Sequence, residues 1–182
     1  MLVGGNSSRM GRDKALLPFR GGVLVEHAAA VVAAAAGSVT LVGDPQKYGH
    51  LGYPVLPDRF PGAGPLGGIE SALSYTGADW NLVTACDMPA IRADYLRGLL
   101  DAAERLGADA LLSAGPYGRL EPLLAVYHRS CAAVLSGALA VGVRRVTAAL
   151  AGLDVHTRHV IDAACLLNLN TPEDWAGYHD TH

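Results

Sequence analysis

Runs of strong helix formers alternate with short, β-branched apolar runs along most of the chain, and this alternation constrains the fold more than any other feature. Residues 23–36 carry Leu, Glu and a run of Ala and stop at Gly37, a residue suited to the position past a helix end. Residues 39–42, Val-Thr-Leu-Val, are bounded by Ser38 and by Gly43, Asp44 and Pro45, and read as a short buried strand. Residues 53–56 form a weaker strand and residues 80–85 a further one. Residues 94–106 place Tyr95, Leu96, Leu99, Leu100 and Ala103 on one side of a helix that ends at Gly107. The pattern predicts a mostly parallel sheet wrapped by helices. One antiparallel strand is expected, because residues 110–113 and the run 118–128 are joined by a link too short for a crossover helix. Residues 130–140 read as a helix, and 142–146 as the start of another.

A chain of 182 residues, 51% apolar and 17% charged, is long enough for one full hydrophobic core, so residues 1–182 are expected to form a single domain. A net charge of −3 argues against a broad nucleic-acid footprint, so a bound phosphate belongs to a small molecule. Cys86, Cys131 and Cys165 lie far apart with no metal-ligand spacing, as expected of reduced thiols in the cytoplasm. The longest apolar run, residues 28–36, falls short of the ~20 residues of a membrane span. No charged segment with a cleavage site precedes the first motif, which points away from secretion.

That first motif is Gly4-Gly5-Asn6-Ser7-Ser8-Arg9-Met10-Gly11-Arg12-Asp13-Lys14. Glycines directly after Leu2 and Val3 let backbone N–H groups approach a ligand, and Arg9 and Lys14 add two positive charges. Ser7 and Ser8 offer hydroxyls to the same acceptor. Backbone donors, Arg and Lys together suit a phosphate. Taken alone, the composition fits a solvated turn equally well. It is neither a Walker loop, lacking a closing Gly-Lys-Ser/Thr, nor a dinucleotide fingerprint, whose third glycine is spaced differently. Only Met1, Leu2 and Val3 precede the glycines, against about five or six residues in a typical strand. The first strand is therefore expected to be clipped.

Four other stretches carry polar residues in informative places. Pro and Gly dominate residues 57–69 before Glu70 opens a helical run. Asp87 follows the strand 80–85, at the carboxyl end where open α/β sheets bind ligands, although a cap for the next helix fits it as well. Cys86 reads as a small packing residue. Arg144 and Arg145 read as a solvated face, with a role on a phosphate as the alternative, and His156 and His159, on a strand with no carboxylate expected nearby, as exposed polar residues. Thr171 and Pro172 suit the N-cap and first position of a closing helix, and Asn168 and Asn170 project from one side of the segment before it.

Three motifs, GGNSSRMGRDK, ACDMP and NLNTPEDW, give the chain a resemblance to the molybdenum cofactor guanylyltransferases, whose signature reads LAGGxSxRMGxDK. Val3 stands for the usual alanine. In that family several apolar residues come before the signature, which is consistent with a start upstream. The resemblance implies a Rossmann-like three-layer sandwich of nucleotidyltransferase type. It also implies transfer of GMP from GTP to the phosphate of molybdopterin, with release of pyrophosphate. Leu2, Val3, Gly4, Gly5, Lys14, Asp58, Gly68 and Asp87 would then bind the nucleotide. Arg9, Lys14 and Asp87 would be catalytic, Asp87 would hold Mg²⁺, and Asn168 and Asn170 would contact the pterin. The run 118–128 would help hold this second substrate. A carboxylate such as Asp58 suits guanine, whose ring N–H and exocyclic amine both donate. A molybdopterin-delivering protein or a molybdoenzyme is a further expected partner, and nucleic acid and membrane are not.

Competing readings are a cytidylyltransferase on the same cofactor, a sugar-phosphate nucleotidyltransferase, and a non-catalytic cofactor-binding partner of a molybdoenzyme. The double glycine and the Asp13-Lys14 pair favour the guanylyl reading, because relatives with other substrates more often carry LAAG and lack that Asp.

Overall fold

The computed structural model describes residues 1–4 and 13–181. After a three-residue 3-10 helix, Lys14–Leu16, a small hairpin pairs β1 (Pro18–Phe19) with β2 (Gly22–Val23). Arg20 and Gly21 close it, both at positive φ as a two-residue hairpin turn demands. The alternation of longer runs gave no sign of this hairpin. Helix α1 (Leu24–Ala36) follows at once, with the Glu26 carboxylate accepting the Val23 N–H at 3.0 Å. Leu24, Val25, Ala28, Ala29 and Val32 form its buried stripe, and Gly37 ends it.

Strand β3 (Leu41–Val42), the single-turn helix α2 (Pro45–Tyr48) and β4 (Val55–Leu56) come next, with β3 and β4 parallel. Helix α3 spans Pro65–Tyr75, so it opens five residues before Glu70, where the sequence placed it. Gly67 and Gly68 read as breakers, yet both lie inside the helix because the chain passes close to them. A Cβ on Gly68 would sit 2.7 Å from Leu2 Cδ2, and one on Gly67 2.9 Å from the Phe60 carbonyl oxygen.

Strand β5 (Trp80–Thr84), helix α4 (Ala93–Leu106), β6 (Ala110–Ala114), β7 (Leu120–His128), helix α5 (Cys131–Ala140), the short helix α6 (Val146–Ala149), β8 (Val155–His159) and helix α7 (Pro172–Thr181) complete the chain. The expected helix at 142–146 thus begins only at Val146. Strand order is β5-β7-β6-β8; β7 runs antiparallel to β5 and β6, and β8 runs parallel to β6. Leu2 bridges Val42 and Ala85, both in parallel sense, and joins the β3–β4 pair to the four-stranded ladder. The fold is therefore α/β with a mixed sheet. In detail it differs from one mostly parallel sheet, because the four-stranded ladder contains two antiparallel pairs and one parallel pair.

Alternation along β7 divides the core. Leu124 and Val126 join clusters with α1 and α4, while Ala125 and Tyr127 pack with Leu66 and Ile69 of α3 and Leu135 of α5. Full burial of a leucine such as Leu66 or Leu124 stabilises by about 1.5–3 kcal/mol relative to exposure.

The topology also fixes where chemistry can gather. Leu2, β3, β4 and β5 run parallel, so Gly4, Gly43, Asp58 and Asp87 all leave the sheet at one rim. β7 runs the other way and brings its amino end, Leu120 to Leu123, to that rim. His156 departs from expectation, since its Nε2 lies 3.2 Å from the Asp154 carboxylate. Asp154 stands two residues earlier, just before the strand begins.

Candidate active site

Asp13 caps the 3-10 helix at the rim, its Oδ1 accepting the Ala15 N–H at 3.1 Å. Lys14 is therefore the first helical residue, and its Nζ donates to Asp87 Oδ2 and, at 3.0 Å, to Asn170 Oδ1. Three stretches separated by most of the chain thus meet at one ammonium group.

Asp87 follows β5 and is 8% exposed. It is not a helix cap, because Arg92 occupies the N-cap of α4. Its backbone carbonyl accepts the Leu169 N–H at 3.0 Å, which ties the Asn168–Asn170 segment to the rim. Its second carboxylate oxygen, Oδ1, is buried with no hydrogen-bond partner among the described residues. Leaving a buried acceptor unmatched costs about 1–3 kcal/mol, so this oxygen suits an incoming cation or donor.

The closing motif folds as its residue types dictate. Thr171 Oγ1 accepts the Asp174 N–H at 3.1 Å, and Asp174 Oδ2 accepts the N–H groups of Asn170 and Thr171, both at 2.9 Å. These bonds, with Asn170 first, hold the Asp174 carboxyl below its ordinary range. The reciprocal cap fixes the backbone that presents Asn170 to Lys14.

Two clefts adjoin here. The larger, about 980 Å³, is lined by Leu2, Val3, Gly4, Lys14, Asp58 and Gly68, and reaches Asp87 and Asn170. The smaller, about 670 Å³, is lined by Glu121, Arg145, Thr147 and Asn168, and again by Asp87 and Asn170. The structure brings together every described residue that the sequence put forward. Gly5, Arg9, Ser7 and Ser8 lie outside the described residues.

Each member has a defined local setting. The N–H groups of Leu2 and Val3 donate to Thr84 and Val42 carbonyls at 2.8 and 2.9 Å, so sheet pairing already uses them. Asp58 Oδ1 accepts the Phe60 N–H at 2.8 Å, with the Ser71 hydroxyl at 3.2 Å, which leaves Oδ2 for a ligand. Burial pushes the Cys86 thiol up to about 12, so it is an inert packing group as expected.

Sequence reasoning missed two residues. Glu121 sits in the smaller cleft with its side chain 13% exposed and pairs with Arg119 at 3.1 Å. Burial raises its carboxyl above the ordinary value; Arg119 opposes this and the charge of Asp87 adds to it. The signal available was a lone carboxylate in an otherwise apolar strand. Tyr48, on the wall of the larger cleft, gave no comparable signal.

Among the described residues, no group of three or more His, Cys, Asp or Glu side chains could cage a metal. A hard divalent cation needs no such cage where substrate phosphates supply oxygen ligands beside one carboxylate, and Asp87 Oδ1 fits that arrangement.

Residues 1–155 match the family model described as the MobA-like NTP transferase domain. A probable molybdenum cofactor guanylyltransferase of Carboxydothermus hydrogenoformans is 34% identical, covering 96% of this chain and 91% of the relative. One from Deinococcus radiodurans is 36% identical over 96% of this chain and 89% of its own. Among solved structures, molybdopterin-guanine dinucleotide biosynthesis protein A from Archaeoglobus fulgidus superposes with a TM-score of 0.82 at 29% identity, covering 98% of this chain and 95% of the other. The fold is that of a nucleotidyltransferase. More narrowly, the chain belongs to the MobA-like NTP transferase family, among the molybdenum cofactor guanylyltransferases.

Proposed function

We propose that residues 1–182 form one nucleotidyltransferase domain, a Rossmann-like three-layer arrangement, that works in the cytoplasm and transfers GMP from GTP to the phosphate of molybdopterin. The products are molybdopterin guanine dinucleotide and pyrophosphate. One observation carries this reading: two clefts of different lining meet at the Asp87–Lys14–Asn170 cluster. A transferase needs its donor and acceptor to share a single reacting centre, and a site for one ligand does not.

The larger cleft would take GTP, with Asp58 and Gly68 beside the guanine and Leu2, Val3, Gly4 and Gly5 along the nucleotide. The smaller would take the pterin, with Asn168 and Asn170 beside it. Lys14 has three N–H donors and uses two on Asp87 and Asn170, so one remains for a phosphate oxygen. With Arg9 it would stabilise charge as pyrophosphate leaves, the main demand of such a transfer. The attacking group is already an anionic phosphate, so no side chain has to act as a general base. A bound Mg²⁺, held by Asp87 and the phosphates, would supply charge neutralisation at the triphosphate.

The test is pyrophosphate release by the purified protein given GTP, Mg²⁺ and molybdopterin, with the dinucleotide identified by mass. Release that needs both substrates is the expected result, and no release would defeat the reading. Equal rates with CTP in place of GTP would remove the claim for guanine.

A further inference from the structure

Tyr48 lies between the two described flanks of the glycine-rich stretch. The path to it is set locally: β3 ends at Gly43, Asp44 caps α2 through its Oδ1 and the Gln46 N–H at 2.9 Å, and Pro45 starts the turn. One turn later Tyr48 points inward and is 1% exposed. Its hydroxyl donates to Asp13 Oδ2 at 2.7 Å, while Asp13 Oδ1 caps the helix that begins with Lys14. Its ring lies against the other flank. A Cβ on Gly4 would come 3.4 Å from the phenol oxygen, and one on Gly43 would come 3.1 Å from Cε2. Burial, then the Asp13 bond, push the phenol upward in pKa, so it remains a donor.

We propose that Tyr48 is a positioning residue for the nucleotide phosphates: it pins Gly4 on one side and Asp13 on the other, and so fixes Lys14 over Asp87. This rests on the reading of the larger cleft as the GTP site. The physical ground is that phosphate transfer depends on alignment, and small displacements of a charged group are costly in rate. A hydroxyl donating to a carboxylate holds the Lys14 flank more firmly than packing alone would.

The test uses the full chain with Tyr48→Phe, which keeps the ring and removes the donor. Calorimetry should show GTP binding about tenfold weaker, the scale of one charge-assisted hydrogen bond. Guanosine, which has no phosphates, should bind within about twofold of wild type, and Tm should fall by only about 3–6 °C, the cost of that one hydrogen bond in a chain of this size. In an Asp13→Ala background the same substitution should add less than about twofold. GTP affinity unchanged by Tyr48→Phe overturns the proposal. So does equal weakening of GTP and guanosine, which a merely structural role would give, or a full tenfold effect without Asp13. If the wild-type protein binds no GTP, the nucleotide reading itself is wrong and the role of Tyr48 goes with it.

Discussion

Lys14 and Asp87 stand 73 positions apart in sequence and meet as an ion pair where the two clefts join. Their side chains are 23% and 12% exposed, so the pair is only partly screened by solvent. Replacing Lys14 by Ala removes a cation from the proposed reacting centre and leaves the Asp87 carboxylate with neither oxygen paired to a described side chain. Turnover should fall by at least about a hundredfold, the usual cost of losing a preorganised donor at a developing charge. Stability should fall by about 1–3 kcal/mol in urea denaturation. Asp87→Asn should lose turnover similarly with no comparable loss of stability, since the amide keeps an acceptor for Lys14 and carries no buried charge. Activity within about tenfold of wild type in either variant would remove that residue from the reacting centre.

Gly43 and Gly49 bracket α2 and predict opposite outcomes. A Cβ on Gly43 would lie 2.6 Å from the Val3 carbonyl oxygen and 2.7 Å from Val3 Cγ2, and backbone in a paired strand yields little. Gly43→Ala should therefore cost about 1–3 kcal/mol, as overpacking does, and should also weaken GTP binding by displacing Val3 from the cleft wall. Gly49 is in the right-handed helical region with nothing within 4 Å of the added carbon. Gly49→Ala should leave Tm unchanged or raise it. Equal losses in the two variants would show that backbone freedom, not the approach of Val3, makes Gly43 necessary.

Much of this site was legible because parallel strands share a carboxyl end. Given neighbouring strands at Leu2, β3 and β5, the motifs that follow them gather at one rim, and Gly4, Lys14 and Asp87 do so, whereas Asn170 was reached through the family resemblance. The cap at Thr171 and the packing role of Cys86 also followed from residue type. Other features depend on contacts that local sequence does not encode. Gly67 and Gly68 look like breakers until Leu2 and Phe60 are seen to crowd them, which is why α3 begins before Glu70. Glu121 faces the smaller cleft only because β7 is antiparallel and brings its first residues to the rim. Tyr48 ends a four-residue helix too short for any periodicity, so its inward direction came from Asp44 and Gly43 together.

Glu121 makes the stability of the protein depend on pH in a direction that can be worked out. Burial raises its folded-state pKa, Arg119 opposes that, and the nearby charge of Asp87 reinforces it. The folded protein therefore holds this proton more tightly than the unfolded chain, where a glutamate titrates near about 4.3. As pH rises from there to the raised folded value, ionisation costs the native state stability, and the loss is constant above that window. Glu121→Gln abolishes this contribution. The partner Arg119 is 75% exposed, and such a pair returns only about 0–1 kcal/mol. Relative to wild type, the variant should gain stability between pH 4 and pH 7, read from urea midpoints at both values, with all other carboxylates cancelling in the comparison. Because Glu121 lines the smaller cleft and not the larger, the KM for molybdopterin should change while that for GTP stays the same. A variant that loses more stability at pH 7 than at pH 4 would mean that the Arg119 ion pair, and not burial, governs Glu121.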